Sequence, residues 1–436
     1  MTDIMTLASP PYWQLHRLGQ LFRERKEKGS DKDFPPLSVT MGGIVPQLET
    51  AAKTDDGDNR KVVRVGDYVI NSRSDRKGSG GISDHEGSVS LISIVLEPRN
   101  IDPHFAHHLL RSPAFQEEFY RWGHGIVADL WTTRYADMKN IRLRVPDLAT
   151  QRQIVDFLDR ETARIDLLIE KKQRFIETLS ESRLTAAPSV IRAFGGPEMK
   201  ETPNIFDIHF NANGWSVGRV KHVVKLMTSG SRGWSDLIQD DGELFLQSGN
   251  IGRRNEIVLS EAKRIIPQTN AEARRTRLKD ADTLVCITGG RTGAVGFLET
   301  VPEIAYVNQH ICLLRPRPEK VYAKLLAQLL YSEIGQRQFS LFQYGLKQGL
   351  GFSQVGEVRL PIPPKDLQQT ISSEIDRIFE RIGSTQSLQE RSIDRLKEYR
   401  SALITAAVTG QIDVATYAKS GTRNRRLDAI QEEMGA

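Results

Sequence analysis

The sequence contains two tandem copies of one module, and this repeat constrains the fold more than any other feature. Residues 141–166 align without a gap on residues 358–383, and a fainter match upstream aligns Gly66–Ile82 with Ala281–Phe297. Repeated sequence indicates repeated structure, so each copy should fold into a variable globular part followed by a better-matched tail. Identities in the tail include Arg142/Arg359, Pro146/Pro363, Gln151/Gln368, Ile154/Ile371, Asp159/Asp376 and Arg164/Arg381.

The tail of each copy predicts a long helix. Apolar side chains return at alternating steps of four and three residues from Gln151 to Ala187 and from Gln368 to Ala407, which is typical of a coiled coil. We expect the two helices to pair antiparallel, because the linker Ala193–Asn213 is long enough to start the second module at the far end of the first helix. The predicted inter-helix seam comprises Ile154, Leu158, Ile165, Leu168, Phe175, Leu179, Ile371, Ile375, Ile378, Ile382, Leu396 and Leu403.

Strands and amphipathic helices are both predicted in the globular parts. Lys61–Ile70 and Ser88–Glu97 are rich in β-branched residues, and they enclose a Gly- and Arg-rich loop. His104–Trp122 and Tyr322–Phe342 carry apolar side chains at helical spacing. The predicted fold class is therefore α+β, with two mixed α/β domains joined by two long antiparallel coiled-coil helices in a pseudo-two-fold internal repeat.

The repeat also predicts where the domains begin and end. The hydrophobic fraction of 39% is sufficient for buried cores, so each globular part should be a domain. Five segments are expected: a first globular domain over 1–145, a central helix over 146–193, a linker and second globular domain over 194–360, a distal helix over 361–414, and a charged tail over 415–436.

The composition excludes several classes of protein. Two cysteines, Cys286 and Cys312, are too few for a disulfide scaffold or a cysteine-rich zinc site. The mean hydropathy is −0.40, and no apolar run approaches the roughly 18 residues of a membrane span. Residues 1–17 lack the basic-then-apolar pattern of a secretory signal, so we expect a cytoplasmic protein. The net charge of +5 is compatible with nucleic-acid binding but indicates it only weakly.

No group of residues predicts catalysis. The tetrapeptide Ser9–Tyr12 matches the S/N/D-P-P-Y/F motif of amino-methyltransferases, but no Gly-rich cofactor loop precedes it, which favours a simple loop before Trp13. Gly289–Gly293 lacks the GK[ST] ending of a phosphate loop and indicates a hairpin with Gly at positive φ. His104, His107 and His108 have no nearby carboxylate or Cys at metal-ligand spacing, so a helix surface or core position is favoured over a metal site.

Basic and amide residues gather in the predicted loops of both copies. Arg pairs with guanine, Asn and Gln pair with adenine, and Lys and Arg bind phosphates, so these residue types are typical of DNA recognition. Most loop residues of these types are simply solvated, but recurrence at matched places in both copies favours a shared role. The candidate DNA-binding residues are Asn71, Ser72, Arg73, Arg76, Lys77, Thr133, Arg134, Gln247, Ser248, Asn250, Arg253, Arg254, Arg291, Thr292, Asn308, Gln309, Lys347 and Gln348.

The better-matched segments resemble a known family. Pro146–Leu179 resembles the central conserved region of the specificity subunits of type I restriction–modification systems, and Arg400–Val414 resembles the end of their distal conserved region. Gly66–Ser83 and the opening of the second copy, Gly214–Lys221, resemble their target-recognition domains. The first helix departs from the family pattern at its end, Leu184–Phe194, and the second departs at its start.

The resemblance implies a non-catalytic subunit with two target-recognition domains, each recognising half of a bipartite, asymmetric sequence in double-stranded DNA. It implies that the helices act as a ruler and dock two modification (methyltransferase) subunits, to which restriction (motor/nuclease) subunits are added. S-adenosylmethionine, ATP and Mg would be bound by those partners, with no cofactor or metal in this chain. Two alternatives stay open: a coiled-coil adaptor without a DNA role, and an amino-methyltransferase that uses Ser9-Pro10-Pro11-Tyr12.

Overall fold

The structure is a computed structural model that describes residues 9–47, 57–125, 131–202, 205–209, 214–230, 232–252, 254–268, 270–343 and 349–417. Contacts divide the chain into two compact units. Unit 1 is Met1–Lys172 together with Glu390–Ala436, and unit 2 is Gln173–Gln389. Each unit therefore contains one globular part and a segment of each long helix. The domain boundaries expected from the sequence treat the helices as separate domains, and they stay predictions.

Unit 1 alternates short strands with short helices. Two of its helices begin at strong N-terminal caps, where the side chains of Asp102 and Ser112 accept backbone N–H groups of the first turn and a proline follows. The elements in chain order are β1 (Gln14–Arg17), α1 (Leu18–Leu21), β2 (Phe22–Glu24), β3 (Lys28–Gly29), β4 (Leu37–Thr40), β5 (Gly43–Pro46), β6 (Arg60–Val63), β7 (Tyr68–Asn71), β8 (Gly80–Ile82), β9 (Gly87–Val89), β10 (Ser93–Pro98), α2 (Pro103–Arg111), α3 (Pro113–Arg121), α4 (Tyr135–Met138), β11 (Arg142–Val145) and the long helix α5 (Leu148–Ala193), which continues into unit 2.

The central sheet of unit 1 has the strand order β2-β10-β7-β8, and all its pairs are antiparallel. Helices α2 and α3 contribute Phe105, Phe115 and Phe119 to the core, where all three are fully buried. A two-stranded ladder of β1 and β11 brings both ends of the globular part together at the start of α5. The smaller sheets β3-β6-β9 and β4-β5 complete the unit.

Unit 2 repeats the central sheet and the two-stranded ladder of this plan, and its smaller sheets differ. Its elements in chain order are β12 (Glu198–Thr202), β13 (Ile205–His209), β14 (Ser216–Arg219), α6 (Val220–Val223), β15 (Val224–Ser229), β16 (Ile238–Gln239), β17 (Glu243–Leu246), β18 (Lys263–Ile265), α7 (Ala271–Thr276), β19 (Asp282–Cys286), β20 (Val295–Leu298), β21 (Ala305–Val307), β22 (Ile311–Pro316), α8 (Ala323–Tyr331), α9 (Glu333–Phe342), α10 (Phe352–Glu357), β23 (Arg359–Ile362) and the long helix α11 (Lys365–Val408); α12 (Val414–Tyr417) follows in unit 1.

The predicted repeat is confirmed by the topology of the two units. The sheet order β15-β22-β19-β20 matches β2-β10-β7-β8, and the ladder of β14 and β23 matches that of β1 and β11. Leu18 N donates to Ile141 O in unit 1, and Val220 N donates to Val358 O in unit 2. The predicted α+β class with paired long helices is confirmed as well.

The two long helices pair antiparallel within each unit, as predicted. In unit 1, the core around Ile154 and Leu158 on α5 includes Leu403 and Ala407 from the end of α11. In unit 2, the core around Ile371, near the start of α11, includes side chains from the end of α5. Two hydrogen bonds between the helices agree with this antiparallel pairing. Gln386 Nε2 donates to Ser180 Oγ at 2.8 Å, and Arg183 Nη1 donates to Phe379 O at 3.1 Å.

The predicted seam needs one correction. Phe175 is 44% exposed, so it is not part of the buried seam, and Leu179 and Ile378 are only half-buried. A helix has 3.6 residues per turn, and a strict 3.5-residue repeat drifts away from its buried face over several turns. The structure instead buries Lys172 and half-buries Ile176 in this part of α5. The remaining predicted seam residues, Ile154, Leu158, Ile165, Leu168, Ile371, Ile375, Ile382, Leu396 and Leu403, are buried.

Several elements begin or end differently from the sequence prediction. Helix α5 continues through Pro188 to Ala193, where burial of Val190 and Ile191 offsets the backbone hydrogen bond that a proline cannot donate. The predicted linker contains the hairpin of β12 and β13. The strand predicted over Lys61–Ile70 is divided, because the chain turns at Gly66, whose φ of +87° favours glycine.

Both predicted amphipathic segments are pairs of helices. In unit 1 the break is at Ser112, which precedes Pro113, and in unit 2 it is at Ser332, which caps α9 through Ile334 N. Periodicity cannot reveal such a break, because the apolar face is continuous across it. No described helix is both long and apolar enough to cross a membrane.

Candidate nucleic-acid interface

Three chain segments meet at one end of the central sheet in unit 1. They are the residues that follow β7, the turn between β9 and β10, and the segment 131–134. Ser72 Oγ donates to Ile92 O at 2.6 Å, and Thr133 N donates to Ser72 O at 3.0 Å. Because Ser72 forms hydrogen bonds with both of the other segments, residues that are distant in the sequence form one continuous surface.

These segments line a cleft of about 320 Å³. Arg73 and Arg134 are exposed at this cleft, whereas Lys61 is largely covered and donates through Nζ to Ser93 O at 2.7 Å. Burial lowers the pKa of Lys61, and Glu24 at 3.8 Å opposes that shift. The cleft is lined by Glu24, Lys61, Ser72, Arg73, Leu91, Ile92, Ile94, Thr132, Thr133, Arg134 and Tyr135.

Two of the predicted DNA contacts in this unit have a different role. Ser72 and Thr133 are buried, and their hydroxyls are engaged inside the unit: Thr133 Oγ1 donates to Phe119 O at 2.9 Å. Buried polar groups are normally hydrogen-bonded within the protein, and these two hydroxyls follow that rule. Ser72 and Thr133 therefore position the cleft, while Arg73 and Arg134 are the cations that it presents.

Arg76 and Lys77 lie in the loop between β7 and β8, as predicted. The Arg76 side chain is 69% exposed, and its Nε lies 3.8 Å from Asp75 Oδ2. Lys77 forms an ion pair with Glu117. Asn71 Oδ1 accepts the backbone N–H of Arg73 at 3.1 Å, so this amide shapes the start of the loop. Arg76, like Arg73, is therefore exposed and available to a phosphate or a base.

Unit 2 builds the same arrangement from the equivalent segments. Ile287 N donates to His310 O at 2.8 Å, and Leu350 N donates to Ile287 O at 2.7 Å. Bridges pair Thr288 with Gly349 here and Arg73 with Thr132 in unit 1. The recurrence of the same three-segment arrangement in both units supports a common role for it.

At the equivalent place in unit 2, polar side chains occupy the positions that Arg73 and the turn residues Leu91 and Ile92 have in unit 1. Thr288 Oγ1 and His310 Nδ1 are 2.5 Å apart, and Gln309 Nε2 is 3.3 Å from His310 Nε2. Asn308 is buried, and its Oδ1 accepts His310 N at 3.0 Å, so it positions the turn; a DNA contact by this residue stays a prediction. Gln309 lies at the surface of this turn, half-buried.

A second loop lies beside this turn, because β17 and β21 are parallel neighbours and end together. The half-buried residues Gln247 and Ser248 follow β17. The predicted contact Asn250 is buried, and its amide bonds to Gln247 N and Val258 O, so it shapes the loop. The half-buried Arg254 lies further along this segment.

Arg291 differs from its counterpart Arg76. Its Nη1 donates to Gly249 O at 3.0 Å and to Ile251 O at 2.6 Å, which ties the β19–β20 loop to the loop after β17. Thr292 Oγ1 donates to Gly289 O at 2.7 Å, and Gly289 has the positive φ predicted for a hairpin. Arg253, Lys347 and Gln348 lie outside the described residues.

The other sequence motifs have structural roles. Pro11 O and Trp13 O both accept Arg144 Nη1 at 3.0 Å, so the motif that ends at Tyr12 is the loop before Trp13 that the sequence favoured. His107 is largely buried and its Nδ1 accepts Ile82 N at 3.3 Å; burial lowers the pKa of His107 to about 3. Among the described residues, no three His, Cys, Asp or Glu side chains are grouped so that they could hold a metal ion.

Sequence reasoning missed Lys61 and the turn residues Leu91, Ile92 and His310. The sequence did contain a signal for Leu91 and Ile92, because two consecutive apolar residues are unusual in a short turn between strands. The arrangement defines a class of protein: two similar α/β modules, each with cationic and polar loops at one end of its central sheet and each built around a pair of antiparallel helix segments.

Comparisons with known proteins show which family the chain is similar to. Residues 214–393 match the family model described as the type I restriction modification DNA specificity domain. The chain is 22% identical over 433 residues to the type I restriction enzyme MjaVIII specificity subunit of Methanocaldococcus jannaschii, covering 94% of this chain and 95% of that protein. It is also 26% identical over 110 residues to the EcoBI specificity subunit of Escherichia coli, covering 25% of this chain and 23% of that protein.

A solved structure shares the fold. A chain from a study of complex assembly and conformational transition in the type I R-M system aligns with a TM-score of 0.58 at 17% identity, covering 93% of this chain and 99% of that one. The chain is thus similar over nearly all of its length to a type I restriction enzyme specificity subunit, and its residues 214–393 match the DNA specificity domain of that family.

Proposed function

We propose that this chain directs a type I restriction–modification assembly to a bipartite, asymmetric DNA sequence, with unit 1 recognising one half and unit 2 the other. The observation that carries the proposal is the three-segment arrangement that recurs in both units with different side chains. Arg73 and Arg134 lie at this arrangement in unit 1, and Thr288 and Gln309 lie at the equivalent arrangement in unit 2. A common scaffold with different reading groups suits two unlike half-sites.

The long helices are the proposed docking surface for two modification (methyltransferase) subunits, to which restriction subunits are added. Leu148 and Leu167 are exposed on α5 in unit 1, and Phe175 and Leu388 are exposed on the helices of unit 2. Exposed large apolar side chains on a helix that already buries its other face favour a partner surface. S-adenosylmethionine, ATP and Mg would be bound by those partners, and the chain alone should transfer no methyl group.

The experiment is a reconstitution with modification subunits. Sequencing of modified DNA should reveal one two-part target, and a filter-binding titration against salt should give tighter binding to that target than to random DNA. Replacing residues 12–145 with another recognition domain should change one half-site and leave the other. A complex that assembles but prefers no sequence would favour a coiled-coil adaptor. Methyl transfer by the chain alone, lost in Tyr12→Ala with DNA binding intact, would favour an amino-methyltransferase.

A further inference from the structure

One turn is repeated in both units with the same backbone hydrogen bond. Ser93 N donates to Ser90 O at 2.9 Å in unit 1, and Ile311 N donates to Asn308 O at 3.2 Å in unit 2. The strand that follows the turn pairs in the same register, with Ser93 opposite Asn71 in one unit and Ile311 opposite Cys286 in the other. The two turns are therefore equivalent positions on one scaffold.

The side chains on these turns have different chemistry. In unit 1 they are Leu91 and Ile92, which are 41% and 39% exposed. In unit 2 they are Gln309 and His310, which are half-buried and in contact with each other. The second carbonyl of each turn accepts a hydrogen bond from the adjoining strand end, from Ser72 Oγ to Ile92 O in unit 1 and from Ile287 N to His310 O in unit 2.

The unit 1 turn lies at the cleft that carries Arg73 and Arg134. An apolar pair exposed beside two cations is unfavourable in water, and neither Leu91 nor Ile92 is among the described residues that form the buried cores of unit 1. Arginines bind phosphates and guanine, whereas the one apolar group on the major-groove edge of a base pair is the C5-methyl group of thymine.

We propose that Leu91 and Ile92 are specificity-determining residues, which select a thymine in the half-site of unit 1 through its methyl group. Gln309 occupies the equivalent turn in unit 2 and recognises a base of the other half-site by hydrogen bonds instead. The inference rests on the proposed function, and it names the base that one unit recognises and the groups that recognise it.

The test uses the complex with modification subunits and duplexes that carry its target, in which each thymine in turn is replaced by uracil, which lacks only the methyl group. One uracil in one half-site should weaken binding about fourfold, the value expected for a single methyl group removed from an apolar contact. In the variant Leu91→Gln/Ile92→His, which carries the turn of unit 2, that uracil should have no effect. The other half-site should be read as before, which shows that the variant is folded.

Val65→Gln is the matched control, because Val65 is an exposed apolar residue of the same unit that lies in the turn before β7, at the other end of that strand. It should retain the fourfold effect. Leu91→Ala/Ile92→Ala replaces the exchange variant if that one does not assemble. A half-site without thymine, no sensitive position, or sensitivity that persists in both turn variants would overturn the inference. A complex that binds all DNA alike would instead refute the proposed function.

Discussion

Arg400 and Asp166 form a two-point ion pair between the long helices in unit 1, with Nε 2.9 Å from Oδ1 and Nη2 3.1 Å from Oδ2. The first residue lies near the end of α11, and the second lies in the first half of α5. The pair therefore joins the end of one long helix to the first half of the other, as antiparallel pairing requires. Leu168 and Leu396 are buried in the same core cluster, so the ion pair borders an apolar seam.

The ion pair should contribute little energy, and this can be measured. Both side chains are more than one third exposed, so water screens the attraction. Asp166→Ala and Arg400→Ala should each lower the free energy of unfolding by less than about 1 kcal/mol, with a coupling of about 0.2–1 kcal/mol in a double-mutant cycle. Urea unfolding of the single and double variants provides the measurement. A coupling above about 2 kcal/mol would show that the pair stabilises the register more than its exposure allows.

The repeated glutamines at the helix starts should matter more. Gln151 Oε1 accepts Asp102 N at 2.8 Å, and its counterpart Gln368 accepts Tyr322 N at 2.7 Å. Both side chains are buried, so Gln151→Ala or Gln368→Ala leaves a backbone donor without its partner and should cost about 1–3 kcal/mol of unfolding free energy.

The neighbouring exposed residue Gln369 provides the control for this prediction. Gln369→Ala should change the free energy of unfolding by less than about 0.5 kcal/mol, as is usual for surface substitutions. Equal effects of Gln368→Ala and Gln369→Ala in thermal or urea unfolding would show that the anchoring bond is unimportant.

The two equivalent arginines should respond differently to substitution. Arg76→Ala should weaken DNA binding by about 1–3 kcal/mol and relax one base position if it contacts guanine, or reduce the salt slope by about one if it contacts phosphate. Arg291→Ala removes the bonds to Gly249 O and Ile251 O, so it should lower the stability of unit 2. Thermal unfolding and salt-dependent binding of both variants separate the two roles. Loss of DNA affinity by Arg291→Ala without any loss of stability would contradict this assignment.

Acid should destabilise the chain partly through His107. Its folded pKa of about 3 lies below its ordinary value of 6.5, because burial disfavours the charged ring. The unfolded chain therefore binds the extra proton between these values, and the stability is fully present above about pH 6.5 and lost as the pH falls toward 3. His107→Asn should flatten the dependence of the unfolding temperature on pH in this window. The exposed substitution Gln369→Ala, which removes no titratable group, should leave it unchanged, and identical profiles for all three proteins would refute the prediction.

Helix length should set the spacer of the target. Inserting four residues into α5 between Lys172 and Gln173, with four more into α11 between Gln389 and Glu390, adds about 6 Å of helix at 1.5 Å per residue. At 3.4 Å per base pair, the unspecified spacer should lengthen by about two base pairs while both half-sites stay the same. Sequencing of modified DNA would show the change, and activity with the original spacer would exclude a ruler.

The sequence by itself determined the repeat, both long helices, their antiparallel pairing and the loops in which polar residues gather. Periodicity and internal alignment report such features directly, because they depend on which face of an element is apolar. The same reasoning failed for Phe175, since a fixed repeat cannot follow the true helical period over several turns.

Only the tertiary structure decided which loop residues face outward and which groups share a cleft. Ser72, Thr133, Asn250 and Asn308 have the residue types of DNA contacts, yet their polar groups bond inside the units. Buried backbone groups need partners, and a short polar side chain supplies one wherever packing places it. The meeting of the turn at Leu91 with the segment 131–134 likewise depends on long-range packing, because no local pattern in the sequence specifies which distant turn lies beside a strand end.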